Sequence, residues 1–128
     1  KKYSDKVEIN KAENIPNTEY LKLMAQSDVL LDQIYSYTPG MNALTAMAQG
    51  LIAVSGAEPE MYSLLEEEEL KPIVNILPDE TDISQKLENI VRKRVELPIL
   101  SNMSRKFVEK YHNTDIVAQR YIDFWTKR

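Results

Sequence analysis

Cysteine is absent from the 128 residues, which removes disulfides, thiolate nucleophiles and cysteine metal ligands at once. With a single histidine, His112, and no cysteine, the chain lacks the nitrogen and sulfur donors from which most zinc sites are built. Glycine occurs three times, as Gly40, Gly50 and Gly56, too sparsely spaced for a Gly-x-Gly-x-x-Gly fingerprint or a Walker loop. No Gly-x-Ser-x-Gly nucleophile elbow is present. No apolar run approaches the roughly 20 residues of a membrane span, and no signal sequence is visible. Basic residues are outnumbered by acidic ones, for a net charge of −4, which argues against nucleic acid as the main partner. Internal repeats, low-complexity tracts and flexible linkers are missing too. The chain starts at Lys1 rather than Met, and we expect it to be a piece of a longer protein carrying a single domain.

What is present centres on Asp28 to Gly56. Val29-Leu30-Leu31 and Leu51-Ile52-Ala53-Val54 are continuous apolar runs, the pattern of strands buried on both faces. Between them lie a loop through Pro39-Gly40 and a short helix, Met41 to Gln49, whose small residues let it lie close on a sheet. Gly50 suits the position after a helix end, where a left-handed residue is commonly required. The unit is βαβ, and a ligand is expected where its first strand empties into the loop.

Around this unit, Val7 and Ile9 alternate with polar residues, predicting a short strand. Asn17 or Thr18 is the expected cap of a helix carrying Leu21, Met24 and Ala25 inward. After the turn Gly56-Ala57-Glu58, Pro59 suits a first helical turn, and Met61, Tyr62, Leu64 and Leu65 continue that helix. The acidic run Glu66–Glu69 is expected to be its solvated, fraying end, since four like charges there oppose the helix dipole. Ile73–Leu77, between Pro72 and Pro78, is the next strand. Three helices follow: one with Ile83, Leu87, Ile90 and Val91 on one stripe, capped by Thr81 or Asp82; one opened by Pro98; and one capped by Asn113 or Thr114. The last carries Ile116, Val117, Tyr121, Ile122, Phe124 and Trp125, an apolar surface that must cover something. The order βαβαβαβ–ααα predicts an α/β fold, a three-layer Rossmann-like parallel sheet with C-terminal helices.

The loop Asp32 to Asn42 is the one stretch with chemistry to offer. It joins Asp32 and Gln33 at a strand's end to Tyr35, Tyr37, Pro39-Gly40 and a helix N-terminus. Free amides and the dipole at such a terminus favour an anion such as phosphate, and Gly40 allows close approach to the backbone. A purely structural strand-to-helix turn would have the same composition. His112, near a helix end, is expected to be a capping or surface residue rather than a general base.

Leu44-Thr45-Ala46-Met47-Ala48-Gln49-Gly50, with Leu51 to Val54 after it, closely resembles the Leu-Glu-Ala-Met-Ala-x-Gly-x-Pro-Val-Val segment of group 1 (family 4) retaining glycosyltransferases. Ser27-Asp28-Val29 resembles the family's Ala-Asp-Val strand, Asp32-Gln33 an Asp-Gln variant, and Pro59-Glu60 its Pro-Glu. Ile73 to Asp82 resembles its Gly-Leu-Leu-Val-x-Pro-x-Asp stretch, and Leu100 to Tyr111 with Val117 to Phe124 its closing helices. The likeness covers roughly residues 7–126, and its specificity lies in the order and spacing of the motifs. It implies the latter part of the C-terminal domain of a GT-B fold, which binds the nucleotide-sugar donor.

That resemblance implies transfer of a sugar, with retention, from a UDP- or GDP-sugar to an unknown acceptor, as in polysaccharide biosynthesis, with no cofactor and no metal required. The family's two glutamates, spaced Glu-x7-Glu, would fall on Tyr37 and Thr45. A threonine cannot accept two bonds from a ribose diol as a carboxylate does, a loss of ~1–2 kcal/mol, roughly tenfold in affinity. Gly40 sits on the family's glycine, so the amides of Met41, Asn42 and Ala43 would face a diphosphate, with Asp32 near the sugar in place of Tyr37. No catalytic residue is assigned. The family's basic phosphate pair and its acceptor-binding N-terminal domain would lie outside this chain, and the fragment alone should not catalyse. The implied setting is cytoplasmic, with membrane association of the parent left open and no transmembrane segment. Two alternatives stand beside this: a degenerate glycosyltransferase-like domain that binds without turnover, supported by the missing glutamates, and an unrelated doubly wound domain of response-regulator type, which the scatter of acidic residues disfavours.

Overall fold

The computed structural model describes residues 5–127. Helix α1 (Asn17–Ala25) leads into strand β1 (Val29–Leu31), then α2 (Met41–Ala48), β2 (Ile52–Ser55), α3 (Pro59–Leu64) and β3 (Val74–Asn75). Helix α4 (Glu80–Arg92), a 3-10 turn (Arg94–Glu96), α5 (Leu97–Tyr111) and α6 (Thr114–Thr126) complete the chain. The three strands form a parallel sheet in the order β1-β2-β3, with Leu30 opposite Ala53 and Ser55 opposite Asn75. The α/β class and the βαβ unit at Asp28–Gly56 are therefore present.

Central strand β2 is buried along its whole length, as its unbroken apolar run demands. Ala53 meets Ala43 and Met47 of α2, Met61 and Tyr62 of α3, and Phe107 and Tyr111 of α5 in one core. Alanines at 43, 46 and 53, all fully buried, let α2 approach the strand closely. The larger gap beside them is filled by Phe107, whose ring lies 6.1 Å from Tyr62 edge-on and 5.1 Å from Tyr111. A smaller cluster of Met24, Ala46 and Leu51 seats α1.

Two helices end in the same way. Past α2, Gly50 takes φ +89°, its amide bonds Met47 O and the Leu51 amide bonds Ala46 O. Past α3, the amides of Glu66 and Glu67 bond Ser63 O and Tyr62 O, and Glu66 holds φ +54°. Both are Schellman ends, one on the expected glycine and one on a glutamate that composition did not mark.

Several expectations are corrected. Residues 7–9 form no strand; Ile9 is 80% exposed. Alternation places side chains on two faces but supplies no partner for the backbone groups, and a strand exists only where a ladder does. Helix α1 is capped at Pro16, not by Asn17 or Thr18, and α4 by Asp79, whose carboxylate accepts the Asp82 amide. Asp82 instead turns back to the Leu77 amide and to Lys86. The α3 helix stops before the acidic run, where Glu66, Glu68 and Glu69 are exposed as expected but Glu67 is only 7% exposed. Asn113 caps α6 as expected, but no described residue of α6 is buried.

Candidate functional site

The carboxyl ends of the three strands carry Asp32, Ser55 and Asn75. The chain leaves β1 with the Asp32 amide still on Val54 O at 2.9 Å, so Asp32 is held in register with β2. Its Oδ2 accepts the Ser55 hydroxyl at 2.9 Å and the Gly40 amide at 3.3 Å. Asn75 Oδ1 accepts the Ala57 amide at 2.9 Å, which ties β3 to the turn after β2. Strand end, loop and helix start are thus braced by side chains that the strands themselves position.

The loop Asp32–Gly40 lies against that brace. A Cβ on Gly56 would stand 1.6 Å from the Ser36 carbonyl oxygen, so the loop backbone rests directly on the backbone after β2. One residue on, Tyr37 O accepts the Glu58 amide at 3.0 Å, and the Ser36 hydroxyl donates to Thr38 O. With Pro39 limiting rotation ahead of Gly40, the segment enters α2 along a fixed path. The side chains of Tyr35 and Tyr37 remain 88% and 79% exposed.

At α2 the first intrahelical bond runs from Leu44 N to Gly40 O at 3.1 Å. The amides of Met41, Asn42 and Ala43 precede it and have no partner within the helix. They point out of the carboxyl edge of the sheet, where open parallel sheets bind ligands, and the helix dipole favours an anion there. The Asp32 carboxylate, on the neighbouring Gly40 amide, already places one negative charge against this end. The space that a Gly40 side chain would take faces Gln33 Nε2 at 3.3 Å and Asp32 Oδ2 at 3.6 Å, so that glycine makes room for the loop's own side chains. Thr45, one turn along, donates its hydroxyl to Met41 O at 2.9 Å; its remaining capacity is to accept.

The structure thus brings Asp32, Tyr37, Gly40, Met41, Asn42, Ala43 and Thr45 into one continuous loop-and-helix start, with the Ala43 side chain in the core and its amide at the edge. Ser55, Asn75 and Gly56 also build the site and were not singled out in the sequence. Ser55 and Gly56 carry a positional signal, since they follow the apolar run Leu51–Val54, whereas Asn75 lies inside the stretch Ile73–Leu77 and carries none. Ser55 is fully buried, so its bond to Asp32 braces the loop rather than arming a nucleophile. His112 closes α5 as its C-cap, with burial foremost, and Arg120 after it, holding its pKa below the usual value. Among the described residues no group of three or more His, Asp or Glu side chains is placed to hold a metal ion. No described helix is long and apolar enough to cross a membrane.

Two cavities lie elsewhere. One of about 410 Å³ is lined by Val74, Lys86, Ile90, Lys93 and Leu100 between β3, α4 and α5. The other, about 230 Å³, sits at the amino-terminal edge between Asp28, Gly50 and Ser101. Neither is lined by the 32–45 segment. No protein-family model matches the chain, and no curated protein or solved structure does either.

Proposed function

We propose that the chain is the donor-binding part of a retaining glycosyltransferase, taking a nucleoside-diphosphate sugar at the start of α2. The observation that carries this reading is the set of amides of Met41, Asn42 and Ala43 left without intrahelical partners at the carboxyl edge of a parallel sheet. The loop that leads to them is braced by Asp32, Ser55 and Gly56. The ordered resemblance to the group 1 family supports it, and with it the finer architecture: a three-layer Rossmann-like domain, the latter part of a GT-B C-terminal half.

In the proposed reaction the bond between the anomeric carbon and the diphosphate breaks, and an acceptor hydroxyl oxygen bonds that carbon on the same face and loses its proton. The departing diphosphate gains negative charge, which amides fixed in advance at a helix start stabilise. The same reading places the phosphate-neutralising cations and the acceptor outside this chain, with the exposed apolar side of α6 as a surface toward the acceptor domain. The reading needs no metal ion and no nucleic acid, and a cytoplasmic setting goes with it. The departures at Tyr37 and Thr45 favour the second reading, a degenerate domain that binds the donor without turnover.

Titration of the isotope-labelled chain with UDP, GDP and their sugars, followed by amide chemical shifts, tests both. We expect perturbations centred on residues 37–45, largest at Met41 to Ala43. Silence toward every nucleotide would overturn the two readings together. Thr45→Glu should raise nucleotide affinity about tenfold, a carboxylate accepting both ribose hydroxyls where threonine accepts one.

A further inference from the structure

Tyr35 and Tyr37 serve no packing role. The two residues are 88% and 79% exposed and enter no aromatic pair among the described residues, where the pairs join Tyr62, Phe107 and Tyr111 in the core, His112 with Phe107 at the end of α5, and Tyr121 with Trp125 on α6. Burying a tyrosine is among the larger contributions a side chain makes to a fold, and this chain forgoes it twice within three residues. The intervening Ser36 is half-buried, its carbonyl pressed on Gly56, so both rings leave the loop on its solvent side.

The backbone that carries them is unusually constrained for an exposed loop. Ser36 is seated on Gly56, Tyr37 O takes the Glu58 amide, and Gly40 N is held by Asp32. A tyrosine has only two side-chain torsions to fix, so on a backbone already held in place it presents a large ring to a ligand at low entropic cost, which is how aromatic residues become binding platforms. Tyr37 stands three residues before Gly40, on the braced loop that leads into the unpartnered amides of α2.

We infer that Tyr35 and Tyr37 are specificity-determining residues, a stacking platform for a flat ring attached to the diphosphate bound at the start of α2. The inference rests on the proposed donor site. The shared chemistry is an aromatic face covered by the C–H face of a hexose or by the π-face of a nucleobase. The hydroxyls are secondary, so phenylalanine should serve as well as tyrosine.

The test measures dissociation constants of UDP, GDP, UDP-glucose and GDP-mannose for the wild-type chain, Tyr35→Ala, Tyr37→Ala, Tyr37→Phe and the double alanine variant. Amide spectra outside the loop confirm that each variant folds. We expect Tyr37→Ala to weaken binding about tenfold, Tyr37→Phe to leave it unchanged, and the double variant to be weakest. Loss confined to the sugar-bearing ligands identifies the hexose as the stacked ring, and equal loss for the bare nucleotides identifies the base. If wild type shows its perturbations at residues 41–43 while Tyr35→Ala and Tyr37→Ala bind as tightly, the platform is refuted and the donor site stands. If wild type binds none of the four ligands, both fall.

Discussion

At the scale of single residues, two positions do most to place the site. Gly56 is needed for space: its Cα hydrogen occupies the direction in which any side chain would meet Ser36 O at 1.6 Å. Gly56→Ala must push the 32–40 loop off the sheet edge, breaking the Tyr37–Glu58 and Gly40–Asp32 bonds together. We expect a destabilisation of about 1–3 kcal/mol by chemical denaturation with amide shifts spread over residues 32–43; a variant with wild-type spectra there would show that the loop is not seated on Gly56. Asp32 works in two opposed ways. It braces Gly40 and Ser55, and it sets a negative charge against the same helix end that is proposed to hold a diphosphate. Asp32→Asn keeps an acceptor for both bonds and removes the charge, so UDP should bind about twofold to fivefold tighter, and the gain should shrink at high salt. A weaker complex would mean that the Asp32 charge itself contacts the ligand favourably.

At the scale of elements, the notable tie is between the end of α3 and the end of α5. Glu67, turned inward by the left-handed Glu66, accepts the amides of Glu69 and Leu70 on one oxygen and Lys110 Nζ with the Tyr111 hydroxyl on the other. The Lys110 bond foremost, then Tyr111 and the Leu70 amide, pull the Glu67 carboxyl down to about 2, and the same pair raises Lys110 above its ordinary value. A carboxyl whose folded pKa is depressed stabilises the fold above its unfolded value and loses that contribution as pH falls through the folded one. Stability should therefore decline between about pH 4.5 and 2, the ordinary and folded values. Raised Lys110 acts at the other end, its contribution waning only as pH climbs past about 10.5. In thermal melts from pH 6 to pH 2, Glu67→Gln should start several degrees lower and show a flatter acid limb. An unchanged limb would remove Glu67 as its source. Tyr62, in the same core, needs no such partner: burial, with a smaller push from Glu67, lifts its phenol to about 12 against the Ile73 backbone, and it stays neutral.

At the scale of the whole molecule, order is concentrated around β2. Its four residues are buried on both faces, and α2, α3 and α5 converge on it. By contrast α6 touches the rest mainly along α5, and Phe124 and Trp125 are 73% and 63% exposed. Local opening follows buried contact. Amide exchange should be slowest at Ile52 to Val54, where it reports global unfolding, and orders of magnitude faster along Tyr121–Thr126. Protection of α6 equal to that of β2 would mean that the helix unfolds only with the core.

The α/β class, the βαβ unit, the helix end at Gly50 and the loop that forms the candidate site were legible in the chain itself. Each of these depends on local chemistry: an apolar run of strand length, small residues spaced for a helix, a glycine where φ must be positive. Other features needed the third dimension. Val7 and Ile9 have the alternation of a strand and no neighbour to make them one. The four glutamates after α3 look equivalent in sequence, and only the approach of α5 with Lys110 and Tyr111 turns the second of them into a buried anchor. Ser55, Asn75 and Gly56 became parts of the site because parallel pairing brings the ends of three strands to one edge. Periodicity and propensity act within a few residues and so can be read in order; partners, burial and the strand ends that share an edge are set by residues tens of positions apart, and those the tertiary structure alone decided.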